Sequence, residues 1–418
     1  MLKTRFWLHY SLDDSWRVGK GIAKLALIDK SRAFHKIEWD KAKSFVKAEV
    51  GVTIPKKARL IQGNQTEITA YEHPWEYKAM GEALKEPLEF EEGGIQFCLY
   101  YAGGMNHDSL SDTFSDEWHK MGRHSLLDER DGKNWDSTMQ VETLTKELEL
   151  YRYIGLDASK AYQARSRKTT GKVYAKLFLK FLCVVKYVTI WKRLSGDWNT
   201  SIGNTLISMM IAIHSLAHLP DDLKPVRVVA YFMGDDYLGL YDFPHAVDKK
   251  TLAEALTSLE SDWGITPERG ITNEPLKVSF ISLGLWPRRC GGYQFVPHPA
   301  RQMVKMFAAV KPVPQQLIDD YISGIAMAFW PVYWGWPMMM TFLKRHYVKP
   351  QTKMPFDAYF ADMLTRRARD VDWVQGFVVK YQLPFTATHF KFGDASMQRH
   401  PVVDAMLAFE TADPVDRM

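Results

Sequence analysis

Cysteine is scarce in this chain and scattered. Cys98, Cys183 and Cys290 are the only three. They are odd in number, far apart and in no C-x-x-C pair, which excludes a disulfide framework and a zinc ribbon. They read as buried apolar thiols in a reducing compartment. A secretory leader is also lacking: "MLKTRFWLHYSLDDSW" has no long apolar core and meets Asp13 and Asp14 early. Long uncharged runs are rare. The exception is Gly324 to Leu343, "GIAMAFWPVYWGWPMMMTFL", long enough to span a bilayer. Pro331 and Pro337 interrupt it, so the expectation is a buried or interfacial helical region. Internal repeats and low-complexity tracts are absent. So is a strong excess of one charge. The net +5 is compatible with a nucleic-acid partner without arguing for one.

What is present is ordinary globular material. The 418 residues are 46% hydrophobic and 25% charged, enough for two or three domains or one multilobed unit. Basic residues crowd positions 1–60, with acids interspersed, as on a solvated helical face. Residues 52–62, "VTIPKKARLIQ", read as extended, 100–135 as loop-like, and about 138–154 as helix. "RSRKTTGK" (165–172) is a basic loop, and the apolar stretch after it reads as buried helix or strand. Residues 195–219 run from a Ser-Gly loop into an apolar helix. Residues 248–264 form an amphipathic helix ending at Gly264, and 277–287 a strand stopped by Pro287. Beyond 300 the pattern is mainly helical. Strands and helices mixed in the middle with helical flanks point to α+β.

The chemistry concentrates in "YFMGDDYLGLY", residues 231–241. Val228, Ala230 and Phe232 alternate before the acids, and Leu238 and Leu240 after them, with Gly234 placed for a tight turn. Asp235 and Asp236 are adjacent like charges at a hairpin tip. A divalent cation would compensate their repulsion; so would exposure at a solvated turn. "RDGKNWDSTMQ" carries a second pair. Asp131 could end a strand pointing at the same place, with Asp136 starting the next helix. Equally, Asp131 is a turn residue and Asp136 a helix cap. In "SGDWNTSIGN", Ser195 and Gly196 form a flexible loop, and Thr200 and Asn204 share a helical face. Gly203 lets something approach that helix. The alternatives are a ribose ligand or a small-residue packing face. In "KKARLIQ", Lys57, Arg59 and Ile61 share one strand face with Lys56 adjacent, which suits a triphosphate or a charge-protected edge.

The order is basic strand, D-x4-D, SG-x3-T-x3-N, GDD, then a strand bearing Lys. In it the sequence resembles the RNA-dependent RNA polymerases of positive-strand RNA viruses, most of all the tombusvirus- and nodavirus-like groups. The resemblance covers roughly residues 50–290, and its most specific parts are 195–204 and 234–236. It implies a right-hand α+β fold: fingers over 1–125, palm over 126–149, a fingers insert over 150–190, palm again over 191–299, and thumb over 300–418. The palm would hold an RRM-like antiparallel sheet. The resemblance makes Lys56, Lys57 and Arg59 binders of the incoming triphosphate. Asp131 and Asp235 become metal ligands supported by Asp236. Asp136, with Thr200 and Asn204, becomes the reader of the ribose 2′-hydroxyl. Ser195 and Gly196 become a mobile loop against template and substrate, and "SFISLGLWP" the primer grip.

The implied reaction is template-directed RNA synthesis from NTPs with two Mg2+ ions, Mn2+ being able to substitute. Lys277 would serve as general acid. The implied partners are template and nascent RNA, NTPs, other viral replication proteins and, through them, host membrane, in the host cytoplasm at membrane-associated replication sites. Arg130 departs from the pattern, standing where the family usually ends an apolar strand. The general-acid position is ambiguous between Lys277 and Arg269, which sits in a comparable loop in "GITPERG". A reverse transcriptase would usually have an aromatic residue before its acids and a bulky one in place of Asp136. A catalytically inactive RNA-binding relative would have lost one of Asp131, Asp235 and Asp236, and a metal-dependent glycosyltransferase would not need the 195–204 pattern.

Overall fold

The computed structural model describes residues 2–9, 41–46, 60–63, 80–156, 169–176, 182–195, 199–309, 312–348, 370–383 and 401–417. Lys56, Lys57, Arg59 and Gly196 lie outside the described residues.

The architecture is α+β. Its centre is a six-stranded sheet built from β3 (Leu88–Glu92), β4 (Ile95–Tyr101), β5 (Leu126–Gly132), β8 (Arg227–Met233), β9 (Asp236–Asp242) and β10 (Pro267–Thr272), in the order β10-β5-β9-β8-β4-β3. All neighbours are antiparallel except β4 and β8. A second sheet of four strands joins β1 (Lys41–Val46), β2 (Leu60–Gly63), β6 (Thr169–Lys176) and β7 (Leu182–Thr189). A third has three: β11 (Ser279–Phe280), β12 (Leu283–Pro287) and β13 (Tyr293–Pro297).

The period of two in the central strands sorts their side chains into two cores. Leu126, Val228, Ala230, Phe232, Tyr237 and Tyr241 face one way. There they meet the apolar stripes of α5 (Val141–Ile154), α6 (Thr200–Ala217) and α7 (Lys249–Ser261). Leu127, Val229, Tyr231, Leu238 and Leu240 face the other way, onto α3 (His107–His119) and onto Phe280, Leu285 and Phe295 of the small sheet. The apolar helix α6 is long and hydrophobic enough, by length and composition only, to cross a membrane, but two-thirds of it is buried in the first core. Asp248 caps α7 by accepting from the Thr251 amide at 2.8 Å, and Gly264 follows with φ +77°.

Several expectations are corrected. Residues 100–135 are not a loop: they hold α3, capped by Asn106, and then β5. Their polar letters mislead because Ser111, Ser115 and Glu117 are themselves buried on α3. Of the two readings for the apolar stretch after 172, helix or strand, the described residues show strand: β6 pairs with β7. The single strand expected over 277–287 is a tight β11–β12 hairpin, turned by Ile281 and Ser282 at φ 48° and 63°. Lys277 stands before it in a short 3-10 turn, not on a strand. Residues 88–101, expected in a flanking lobe, pair into the central sheet because Ile95, Phe97 and Leu99 are buried there.

The uncharged run near 330 is broken as its prolines require. It forms α9 (Ile318–Phe329) and, with Pro337 at the first position, α10 (Pro337–His346). Between them Trp336 stacks on Trp373 at 5.2 Å and packs against Trp286 at 5.3 Å. Three further helices, α11 (Trp373–Tyr381), α12 (Pro401–Thr411) and the short α13 (Pro414–Arg417), bring this region back to the central sheet.

Candidate active site

The β8–β9 connection is two residues, Gly234 and Asp235. Gly234 takes φ +70°, a region that a side chain enters only with strain. Its amide donates to Thr205 Oγ1 of α6 at 2.8 Å, which fastens the turn to the helix. The β5–β9 register sets Arg130 opposite Tyr237. One step on, Asp131 and Asp236 fall side by side on the opposite face of the sheet. The structure thus sets Asp131 beside Asp236, which is far from it in sequence, with Asp235 next to Asp236 in the turn.

These carboxylates repel. Burial, then Asp235, Asp131 and Glu129, push the half-buried Asp236 up to about 8. Asp131 is also raised, first by desolvation at the cavity wall and then by Glu268 and Asp413. Among the described residues no set of three His, Cys, Asp or Glu is arranged as a ready-made metal cage. A hard cation that keeps several waters and shares its shell with phosphate oxygens does not need one. Carboxylates that raise one another's pKa are hard oxygen donors, the type that Mg2+ takes.

Asp131 and Asp236 line a cavity of about 420 Å³, together with Arg301, Asp413 and Arg417. Its far wall is therefore α13 and the turn before it. Arg417 is ion-paired with Glu129, and Glu129 also accepts from the Ser279 amide at 2.9 Å. Glu410 caps α8 (Pro299–Lys305) by accepting from the amides of Ala300 and Arg301 at 3.1 and 2.8 Å.

The second cluster lies at the start of α6. Asp136 sits in the first turn of α4 (Trp135–Thr138), after Asn134 in the left-handed region. Asn204 Nδ2 donates to Asp136 Oδ1 at 3.0 Å, so these two candidates are in contact. Thr200, one turn earlier, instead donates to the Leu194 carbonyl at 2.9 Å. Ser195 is half-buried in the turn before α6. What approaches Gly203 is a buried ion pair: a Cβ there would meet Glu147 and Arg193, which bond at 2.7 Å.

Lys277 is paired with Glu274 at 3.1 Å and is not among the residues lining the cavity. Arg269, the other candidate for that role, is not in a loop. It is buried on β10, bonded to Asp128 and to Glu260, each at 2.5 Å. Burial opposes its charge, but these two carboxylates hold its pKa above the ordinary arginine value, so it cannot release a proton. Glu129, Thr205 and Glu260 were not legible as site neighbours. No family model matches the chain, and no curated protein matches it.

Proposed function

We propose that the protein is an RNA-dependent RNA polymerase, copying an RNA template from NTPs. The central sheet would be the palm of a right hand, the four-stranded sheet part of the fingers and the helices beyond 300 the thumb. The observation that carries the reading is the convergence of Asp131 and Asp236 on one cavity, beside an Asp136–Asn204 contact at a helix start. Metal-bridging acids and a polar pair able to meet a ribose hydroxyl are the two things such an enzyme needs side by side.

Asp131, Asp235 and Asp236 would hold the divalent ions, which supply activation of a hydroxyl and charge neutralisation at phosphate. Asp136, oriented by Asn204, would accept from a ribose 2′-hydroxyl; a deoxyribose would leave that polar site unsatisfied. Gly234, tied to Thr205, fastens the acidic turn to α6, the helix that also carries Asn204. Sequence choice is left to base pairing, with the protein contacting backbone phosphate through basic residues such as those of 1–60 and the "RSRK" loop. The presence of all three acids favours a working enzyme over an inactive RNA-binding relative, and Asp136 favours ribo- over deoxyribonucleotide.

The test is incorporation of labelled ribonucleotide on a primed homopolymeric RNA with Mg2+ or Mn2+, comparing wild type with Asp235→Ala. The expected outcome is template-dependent product from wild type, poor use of dNTPs, and a loss of about a thousandfold or more in the variant. Equal signal from both proteins would defeat the assignment of the site.

A further inference from the structure

The charged residue that departs from the family pattern, Arg130, sits at a junction. It is 1% exposed, on the helix-facing side of β5, directly before Asp131. Its Nη1 donates to Glu260 of α7 at 2.8 Å, and its Nη2 donates to Ser208 of α6. Its guanidinium lies 4.5 Å from the Tyr237 ring centroid and 5.8 Å from that of Trp135.

Three of these four contacts, all but Glu260, neighbour a candidate site residue. Tyr237 follows Asp236 and Trp135 precedes Asp136. Ser208 is one helical turn beyond Asn204 on the same face of α6. Four elements that carry the proposed chemistry, β5, β9, α4 and α6, therefore meet on one planar cation. A hydrophobic residue could fill the volume but could not fix directions to Ser208 and Glu260 while stacking on two rings. Arg130 also completes the charge balance of the network, so a neutral replacement has to be paired with loss of one carboxylate. Arg269 pairs with both Asp128 and Glu260.

We propose that Arg130 is the positioning residue of this site, holding the Asp136–Asn204 pair in register with the Asp131–Asp236 pair. The inference rests on the polymerase reading. It makes Arg130 a determinant of sugar selectivity although its guanidinium is engaged by Glu260 and Ser208, since small displacements of a positioned group cost rate steeply.

The variants are Arg130→Lys and the charge-neutral double change Arg130→Gln with Glu260→Gln, which leaves the Arg269–Asp128 pair in place. Thermal melts and near-ultraviolet circular dichroism select conditions in which each is folded. The readout is the ratio of kcat/KM for NTP to that for dNTP. The double variant is expected to lose roughly tenfold or more of this selectivity. Arg130→Lys, which keeps the charge but not the fork, should recover part of it. A merely structural role would lower stability and rates for both sugars alike and leave the ratio unchanged; that result overturns the inference alone. Absence of template-dependent synthesis by the wild type overturns the polymerase reading and the inference with it. A double variant that stays unfolded at every temperature leaves the decision to Arg130→Lys, where an unaltered ratio counts against the proposal.

Discussion

Strand β5 carries "DERD", and its two faces treat charge in opposite ways. Asp128 and Arg130 point toward α6 and α7, where Arg269 and Glu260 complete a buried set with two charges of each sign. Burial acts against the Glu260 charge, yet Arg130 and Arg269 hold its pKa below the ordinary value. On the other face, Glu129 has Arg417, but Asp131 stands beside Asp236, and both are pushed up by burial and by like charges. One face is balanced within the protein. The other gathers carboxylates at a cavity, where Asp236 is pushed up to about 8. A buried balanced set gives fixed geometry, whereas crowded carboxyls at an opening are held with shifted pKa values.

The largest expected effect comes from unbalancing the first face. Arg269→Met strands Asp128 and removes one partner of Glu260. Breaking a buried pair costs roughly 3–5 kcal/mol, and urea unfolding should show it as a lower midpoint. An unchanged midpoint would mean the set is not as dry as described.

Next is the case between the two extremes, Glu410, buried in the cavity wall, and Lys380, also buried. Burial pushes Glu410 up to about 7, against hydrogen bonds from Tyr381 and two amides. Burial likewise pulls Lys380 down to about 7, although Glu410 opposes this. A carboxyl raised in the fold gives stability that is present in acid and lost as pH rises through its folded pKa. Glu410→Gln does not titrate. Relative to wild type the variant should therefore gain stability between about pH 4.5 and 7, by about 3 kcal/mol, followed by thermal melts across that window. A parallel pair of melting curves would show that Glu410 is charged throughout.

The smallest effect, which follows from the proposed polymerase activity, sharpens the comparison at the Asp136–Asn204 contact. Asn204→Ala removes the donor to Asp136 Oδ1. The expected outcome is about a tenfold loss of ribo- over deoxyribonucleotide selectivity, or ~1.4 kcal/mol, with stability nearly unchanged. Steady-state kinetics with both sugars checks it.

The legible parts of the sequence were those with local causes. The β8–β9 hairpin follows from its alternation and Gly234, and α7 from its cap and Gly264. Asp131 and Asp136 could be placed at a strand end and a helix start because a D-x4-D spacing is short. The illegible parts depend on partners far away. Arg269 looked like a loop residue until β10 paired with β5, and Lys277 looked like a strand residue because 277–287 has no visible turn letter at Ile281 and Ser282. Arg130 looked anomalous because its partners, Ser208 and Glu260, lie in other helices. Polar letters in 100–135 read as loop since nothing local says that α3 buries its serines against β13, where Ser115 Oγ donates to the Tyr293 carbonyl at 3.0 Å.

The Glu129–Arg417 pair has a consequence for the order of events in synthesis. Its members are 288 residues apart. Chains emerge N-terminal end first at about 5–20 residues per second, so Glu129 waits about 15–60 s for its partner. During that interval the central sheet can assemble from residues 88–272, but one wall of its cavity does not yet exist. A carboxylate destined for a dry interior stays hydrated until then, and the chamber closes only when a distant arginine arrives.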